Sequence, residues 1–485
     1  MLDRLCVAMV LVPLAGALIA GALRRRSSDV AAIVFALATF AVTARVVSQV
    51  LSMGGLPFVA DLATYPWLPA RGRLLGFFVD PLSSVMLLMI TLIGFLVVLF
   101  SADYLGPKNA EHPVQDGKGT YYFWMLFFMA SMVGIVSARN FFQLFIFWEL
   151  TTLCSWQLIA FYREREESLF AGYKALIMTH LGGIFLMTAI VIVFVATRSF
   201  EFSALGKLAP ATRNTVFLLM LVAAWAKAAQ VPFYTWLPDA MEAPTPVSAY
   251  LHAAAMVKAG VYLVARLVVS TGYPVSLGLL VAVMAMLTIA VVVFLFFYQD
   301  DLKRLLALST ISHLGYIMLA SGLGMWGSTT AFRGGLLHIA AHGCGKGLLF
   351  LSVGALAYFT GTRKMSDLSG AMTRLPLVAA AFFMGVFTVV GVPPMAGFWS
   401  KLMIIVGGFQ LGGVAALLSV LLVVESMIVF GWFLWVGQKV FFGQPSAAVA
   451  RVGTSAPAIE IALLVLMVLC VVIPLIVMPF IMLVG

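Results

Sequence analysis

Charge is scarce in this chain. Only 10% of its 485 residues are Asp, Glu, Lys or Arg, against 63% hydrophobic. No soluble core uses that much apolar surface, so the composition excludes a water-soluble globular protein and predicts a polytopic, all-α membrane protein. Alternating β-barrel segments are missing. Cysteine is almost absent as well: Cys6, Cys154, Cys344 and Cys470 are scattered through apolar stretches without a CxxC. Zinc, iron–sulfur and nickel thiolate sites are therefore not expected, and the four thiols read as small buried hydrophobes. No glycine-rich phosphate loop follows a strand, so no nucleotide site and no bound cofactor are expected. The net charge of +10 is spread over loops, not gathered into a nucleic-acid footprint. No cleavable signal pattern is present: the apolar run from Met1 to Ala22 is followed by Arg24, Arg25 and Arg26, the charge order of a retained first span.

What is abundant is hydrophobic sequence in lengths that cross a bilayer. Fourteen spans are expected, at 5–23, 29–52, 79–101, 121–139, 140–162, 170–196, 213–232, 247–270, 274–298, 303–321, 331–359, 375–405, 410–437 and 456–482. The longest connections, 53–78 and 102–120, leave no room for an inserted soluble domain. Fourteen loop Lys and Arg residues fall on one side and seven, Arg71 and Arg73 among them, on the other. The richer side is placed in the cytoplasm, which puts both termini outside a bacterial or archaeal inner membrane.

Two spans carry proline breaks at matching rank. Span seven ends AAWAKAAQVPFYTWLP and span twelve reads FTVVGVPPMAGFWSK. Each is the fourth span of a five-span block, spans 4–8 and 9–13. An odd number of spans per block requires the second block to be inverted relative to the first, the arrangement of transporters with interrupted helices near the midplane. The expected divisions are an N-terminal three-helix segment (1–120), a first five-helix repeat (121–270), a second, inverted repeat (271–440) and a C-terminal helix (441–485).

Ionisable residues stand inside these spans. Lys227, Lys258, Lys346 and Glu149 each lie in a stretch long enough to cross the membrane. Each such group costs ~2.5–3.5 kcal/mol to insert. Together they read as a path for ions. His338, His342 and Lys346 are spaced i, i+4, i+8, one helical stripe rising ~6 Å per step. Imidazole titrates near neutrality and burial lowers an amine's affinity for its proton, so the stripe suits proton transfer. The two histidines lack a nearby third ligand, so no metal is expected. Lys227 before Pro232 and Lys401 after Pro393 and Pro394 occupy related places in the two repeats. Glu149 is expected to be the counter-charge of Lys227. Weaker candidates are His252, Lys174, His180 and Glu425; Lys174 is placed to snorkel to the surface. Asp80 reads as the residue that starts a helix. Asp300, Asp301, Lys303 and Arg304 read as a solvated turn.

At superfamily level the chain is similar over essentially its whole length to antiporter-like proton-translocating subunits. These occur in respiratory complex I, multisubunit sodium/proton antiporters and membrane-bound nickel–iron hydrogenases. The likeness is carried by WLPDAMEAPTPVSAYLHAAAMVKAGVYLVAR (236–266), DLKRLLALSTISHLGY (301–316) and GVPPMAGFWSK (391–401). Within that group EHP (111–113), TTLCSW (151–156) and DAMEAPTPVSAYLHAAAMVKAGVY (239–262) resemble component D of the hydrogenase-4 or formate hydrogenlyase type. GTRKMSDLSG (361–370) is shared in spirit with the large antiporter subunit. The resemblance implies that Glu149 is the family's span-five glutamate and Lys227 and Lys258 its span-seven and span-eight lysines. Lys346 and Lys401 then match the lysines of spans eleven and twelve. THLGG (179–183) departs from the large complex I subunit, which has an aspartate where Gly183 stands. The sequence also ends after span fourteen without a lateral helix, a further expected difference from that subunit.

The expected function is proton translocation along a Lys/Glu/His chain at mid-membrane, driven by the redox reaction of a partner such as a group 4 [NiFe]-hydrogenase. The alternative is a subunit of a multisubunit Na+/H+ antiporter. Expected partners are further antiporter-like subunits, small membrane anchor subunits and a peripheral redox arm on the cytoplasmic side.

Overall fold

The computed structural model describes residues 2–65, 72–114, 116–270, 275–453 and 455–484. Arg71 lies outside the described residues, as do the side chain of Arg73 and the start of the second expected repeat at 271–274. The chain is a polytopic all-α membrane protein. It opens with α1 (Leu2–Ala22) and α2 (Arg25–Ser52). A hairpin of β1 (Phe58–Tyr65) and β2 (Gly72–Val79) leads into α3 (Pro81–Tyr104). Then come α4 (Lys118–Val136), α5 (Phe141–Ile159), α6 (Glu166–Thr197), α7 (Pro210–Lys227), the single turn α8 (Trp236–Asp239), α9 (Thr245–Ala253) and α10 (Met256–Val269). The second half holds α11 (Gly278–Phe296), α12 (Leu302–Met325), α13 (Thr329–Thr360), α14 (Pro376–Val390), α15 (Ala396–Leu411) and α16 (Gly413–Phe441). The short α17 (Ala447–Ala450) and α18 (Pro457–Met482) complete the described helices.

Among the described residues, eleven helices are long and apolar enough to cross a membrane. The three expected spans outside that set are five, seven and twelve. Span five is the 19-residue α5, which carries Glu149. Span seven stops as α7 at Lys227, five residues before the proline expected to break it. Span twelve is divided into α14 and α15 around Val392–Met395. A third interruption was not expected: span eight is split at Ala254–Ala255 into α9 and α10.

Side-chain caps fix where the central helices begin. Asp80 accepts from Ser83 N at 2.8 Å at the head of α3, and Asn140 from Gln143 N at 2.9 Å at the head of α5. Asp80 also takes a two-pronged bond from Arg266, at 2.6 and 2.9 Å, which ties α10 to α3. The β-hairpin is an addition to the connection 53–78. β1 and β2 pair antiparallel with Phe58 opposite Val79. The hairpin is anchored to the α4–α5 turn by Gly76 N donating to Gln143 Oε1 (3.1 Å) and Arg139 Nε donating to Asp61 Oδ1 (3.2 Å).

The most apolar 18-residue windows of α12 and α13 are wholly buried, whereas those of α2 and α16 are only 33% buried. α12 and α13 are thus the inner pillars, and α2 and α16 present apolar faces outward, as lipid requires. The inner pillars carry His313, His338, His342 and Lys346.

Candidate functional site

Lys227 is the last residue of α7, where the unpaired carbonyls of a helix end favour a cation. Its Nζ donates to the Trp148 carbonyl at 3.0 Å and to Thr152 Oγ1 at 2.6 Å, and lies 5.0 Å from the Trp148 ring centroid. Trp148 and Thr152 are four residues apart on α5, so they share the face that meets α7. Glu149 is one residue further round, about 100° away. The expected Lys227–Glu149 ion pair is therefore replaced by a different contact: Glu149 Oε2 meets His180 Nδ1 at hydrogen-bond distance, 2.8 Å. That pair is on an outer face, with the side chains of Glu149 and His180 24% and 58% exposed. Gly183 makes the position of Glu149 possible, because a Cβ there would overlap Glu149 Oε1. The carboxylate of span five thus occupies the space left where the large complex I subunit is expected to have an aspartate.

Lys258 sits in the first turn of α10, just after the Ala254–Ala255 interruption, and donates to the Ile339 carbonyl of α13 at 2.5 Å. Gly343 gives it room; a Cβ there would stand 2.8 Å from Nζ. His342 is buried one turn beyond Ile339, and neither of its ring nitrogens has a protein partner among the described residues. His252 is likewise buried and without a partner for its nitrogens, its ring 4.6 Å from that of Phe350.

The second half of the site is richer in contacts. His313 Nδ1 and His338 Nε2 are 3.1 Å apart, and His338 Nδ1 is 2.9 Å from Ser400 Oγ. The His342 ring lies 5.4 Å from that of His313. Lys346 donates to Ser309 Oγ, with its Nζ 5.7 Å from the Phe433 ring centroid. Lys401 is in the second turn of α15, after the proline break. It donates to Ser426 Oγ at 3.1 Å and lies 4.6 Å from the Tyr316 ring centroid. A cavity of about 340 Å³ opens at this break, lined by Val390 to Pro393 with Lys401, Ser426 and apolar neighbours from α15 and α16. Glu425 is buried on α16 and takes hydrogen bonds from Ser312 and Tyr316. Among the described residues, none of Lys227, Lys258, Lys346 and Lys401 is in an ion pair.

Sequence reasoning missed His313. Ser309, Ser312, His313 and Tyr316 stand at i, i+3, i+4 and i+7, a polar stripe in an apolar span that could have revealed it. Two other readings need correcting. Lys174 does not simply reach the surface: it pairs with Asp239 at 2.6 Å, and Asp239 also takes Arg304 at 2.7 Å. Nor are Asp301 and Lys303 in a solvated turn. Asp301 caps α12 and pairs with Arg363 at 2.6 Å. Lys303 is buried beneath the segment after α8, donating to the Met241 and Ala243 carbonyls at 2.8 and 2.6 Å. In the adjoining loop, burial first and then the Arg165 and Arg363 charges hold His112 below the usual imidazole range, against the opposing pull of Glu111.

Interrupted membrane helices that enclose buried amines and imidazoles place the chain in the antiporter-like class of membrane proteins. The chain belongs to the NADH:quinone oxidoreductase/Mrp antiporter transmembrane family, whose model matches residues 138–429. The model of the N-terminus of chain 5 of NADH-ubiquinone oxidoreductase (complex I) matches residues 67–111. Subunit A1 of the Na(+)/H(+) antiporter of Staphylococcus aureus is a relative in strains MRSA252 and Newman. It is 35% identical over 408 residues, 79% of this chain and 50% of the relative. The chain thus spans about half the length of the curated relatives it matches. The structure of the Mrp complex from Dietzia sp. DQ12-45-1b matches with a TM-score of 0.83 and 31% identity, over 97% of this chain and 50% of that one. A chain of the archaeal membrane-bound sulfane sulfur reductase shares the fold, with a TM-score of 0.84 and 24% identity, over 99% and 96% of the two chains.

Proposed function

We propose that this chain carries protons across the membrane as one subunit of a multisubunit Na+/H+ antiporter. The path runs through Lys227, Lys258, His342, His313, His338 and Lys346 to Lys401, with Glu149, held in place by His180, at its first end. One observation carries this reading. Four buried lysines are held on carbonyl and hydroxyl oxygens with no carboxylate in ion-pair contact among the described residues. A charge at that depth without a counter-charge costs a few kcal/mol, which a merely structural side chain avoids. Amines in that state bind and release protons readily. The identity to antiporter subunit A1 favours the antiporter over the redox complex.

The second reading is a proton-translocating subunit of a group 4 [NiFe]-hydrogenase or formate hydrogenlyase, with small membrane subunits and a cytoplasmic redox arm. It is supported by the EHP and TTLCSW resemblances and by the fold shared with a respiratory complex. In either case the two five-helix repeats, 121–270 and 271–440, are taken as inverted copies, and both termini are placed outside the inner membrane.

The test is reconstitution of the natural complex with every subunit that co-purifies. Addition of NaCl should collapse a preformed pH gradient in the proteoliposomes. A sodium-independent gradient that forms only when a co-purified hydrogenase turns over would select the second reading. No proton movement under either condition would reject both.

A further inference from the structure

Lys401 has hydrogen-bond partners that the lysine–histidine chain does not use. Its Nζ donates to Ser426 Oγ at 3.1 Å. Ser426 Oγ is 2.7 Å from Tyr316 Oη. Tyr316 Oη in turn donates to Glu425 Oε2, whose other oxygen accepts from Ser312 Oγ at 2.6 Å. With the tyrosine hydroxyl committed to Glu425, the proton between Ser426 and Tyr316 must be supplied by serine. All donors then point one way, from the amine to the carboxylate. Glu425 and Ser426 are neighbours on α16 and Tyr316 is on α12, so three helices contribute to one continuous line.

The geometry points to a proton relay from Lys401 to Glu425 through Ser426 and Tyr316, with Glu425 as the terminal acceptor of the second half. It rests on the proton-carrying reading above. The Lys401 ammonium gives a proton to Ser426 Oγ while Ser426 passes its own to Tyr316 Oη. Tyr316 passes its own to Glu425 Oε2. One N–H bond and two O–H bonds break, and three O–H bonds form. The amine and carboxylic acid replace the ammonium and carboxylate, and both hydroxyls end neutral. Three features suit this role. Glu425 is buried, so its charge is costly unless it takes a proton or is hydrogen-bonded. The Tyr316 ring under Lys401 keeps the amine facing Ser426. α16 presents its other side outward, so an acid on it stands between the inner helices and the outer face.

The test compares Glu425→Gln, Glu425→Asp, Tyr316→Phe, Ser426→Ala and Lys227→Ala in the complete complex, after assembly is confirmed by purification. Transport is read in proteoliposomes, and infrared difference spectra are taken between acidic and alkaline buffer. The expected result is at least about a tenfold loss of transport in Glu425→Gln and in Tyr316→Phe, with Glu425→Asp partly active. The parent should show a protonated-carboxyl band that Glu425→Gln lacks, which a merely structural role would not produce. Should Glu425→Gln fail to assemble, Tyr316→Phe and Ser426→Ala, which keep the carboxylate, decide the question in its place. Parental transport in either hydroxyl variant or in Glu425→Gln overturns the relay. Loss in Lys227→Ala beside normal Glu425→Gln removes the relay alone. Normal transport in Lys227→Ala removes the function it rests on.

Discussion

Lys227 and Lys401 both flank an interrupted helix, yet their surroundings differ in kind. Lys227 rests on a carbonyl and a threonine of α5, and the carboxylate one residue away has turned outward to an exposed histidine. Lys401 has a serine, a tyrosine ring and a buried carboxylate behind it and an open cavity beside it. At the first end the acid belongs to the outer face, where a neighbour can reach it. At the second end the acid belongs to the interior, linked to the lysine by hydroxyls. Equivalent helix breaks therefore do not imply equivalent electrostatics. A break frees carbonyls for a cation, but the face on which the nearest carboxylate stands decides whether the site is coupled sideways or inward.

That difference gives graded expectations. In the proposed path the two ends communicate through the interruption of α9 and α10, so Lys258→Met should have an effect second only to loss of Lys227, about a hundredfold loss of transport in an assembled complex. Transport above half the parental rate would mean that the two ends work separately. Next, Gly183→Ala should push Glu149 from His180 and lower transport about tenfold without touching the Lys401 end. A crystal or cryo-microscopy structure of the variant with Glu149 unmoved would contradict the space argument. Thr152→Val removes one of the two acceptors on Lys227. Loss of about 1 kcal/mol, or roughly fivefold in rate, is expected. The smallest effect should come from His180→Gln, which keeps a hydrogen-bond donor for Glu149 on an exposed face. A change of no more than about threefold is expected there, because the amide keeps the hydrogen bond to Glu149. A large loss would show that His180 itself carries protons.

Much of this site was legible in the sequence because burial depth is written in the length of an apolar run. Lys227, Lys258, Lys346 and Lys401 all stand inside the protein, and prolines marked two of the interruptions. The partner of Glu149 was not legible. A helix that is apolar all round does not specify its rotation, so whether residue 148 or 149 faces α7 is decided by packing. The interruption at Ala254–Ala255 has no proline or glycine to announce it. His313 was hidden inside the 301–316 motif, whose polar stripe is short and runs beside Leu308, Ile311 and Leu314. Lys303 and Asp301 looked like a polar turn because their cover, the segment after α8, is distant in sequence. The β-hairpin left too weak an alternation to be read in a connecting loop.

The central claim is that the buried lysines carry protons and do not merely hold helices together. Lys227→Ala in the complete complex tests it most directly, because this lysine joins a buried charge to a helix end and to α5. Removing it takes away a cation and leaves no buried carboxylate orphaned, since Glu149 keeps His180. Assembly should therefore survive. Proteoliposomes containing the variant, driven as the parent complex is driven, should show no proton movement above the lipid background. A parental proton yield from the assembled variant would make Lys227 a structural residue and contradict the account.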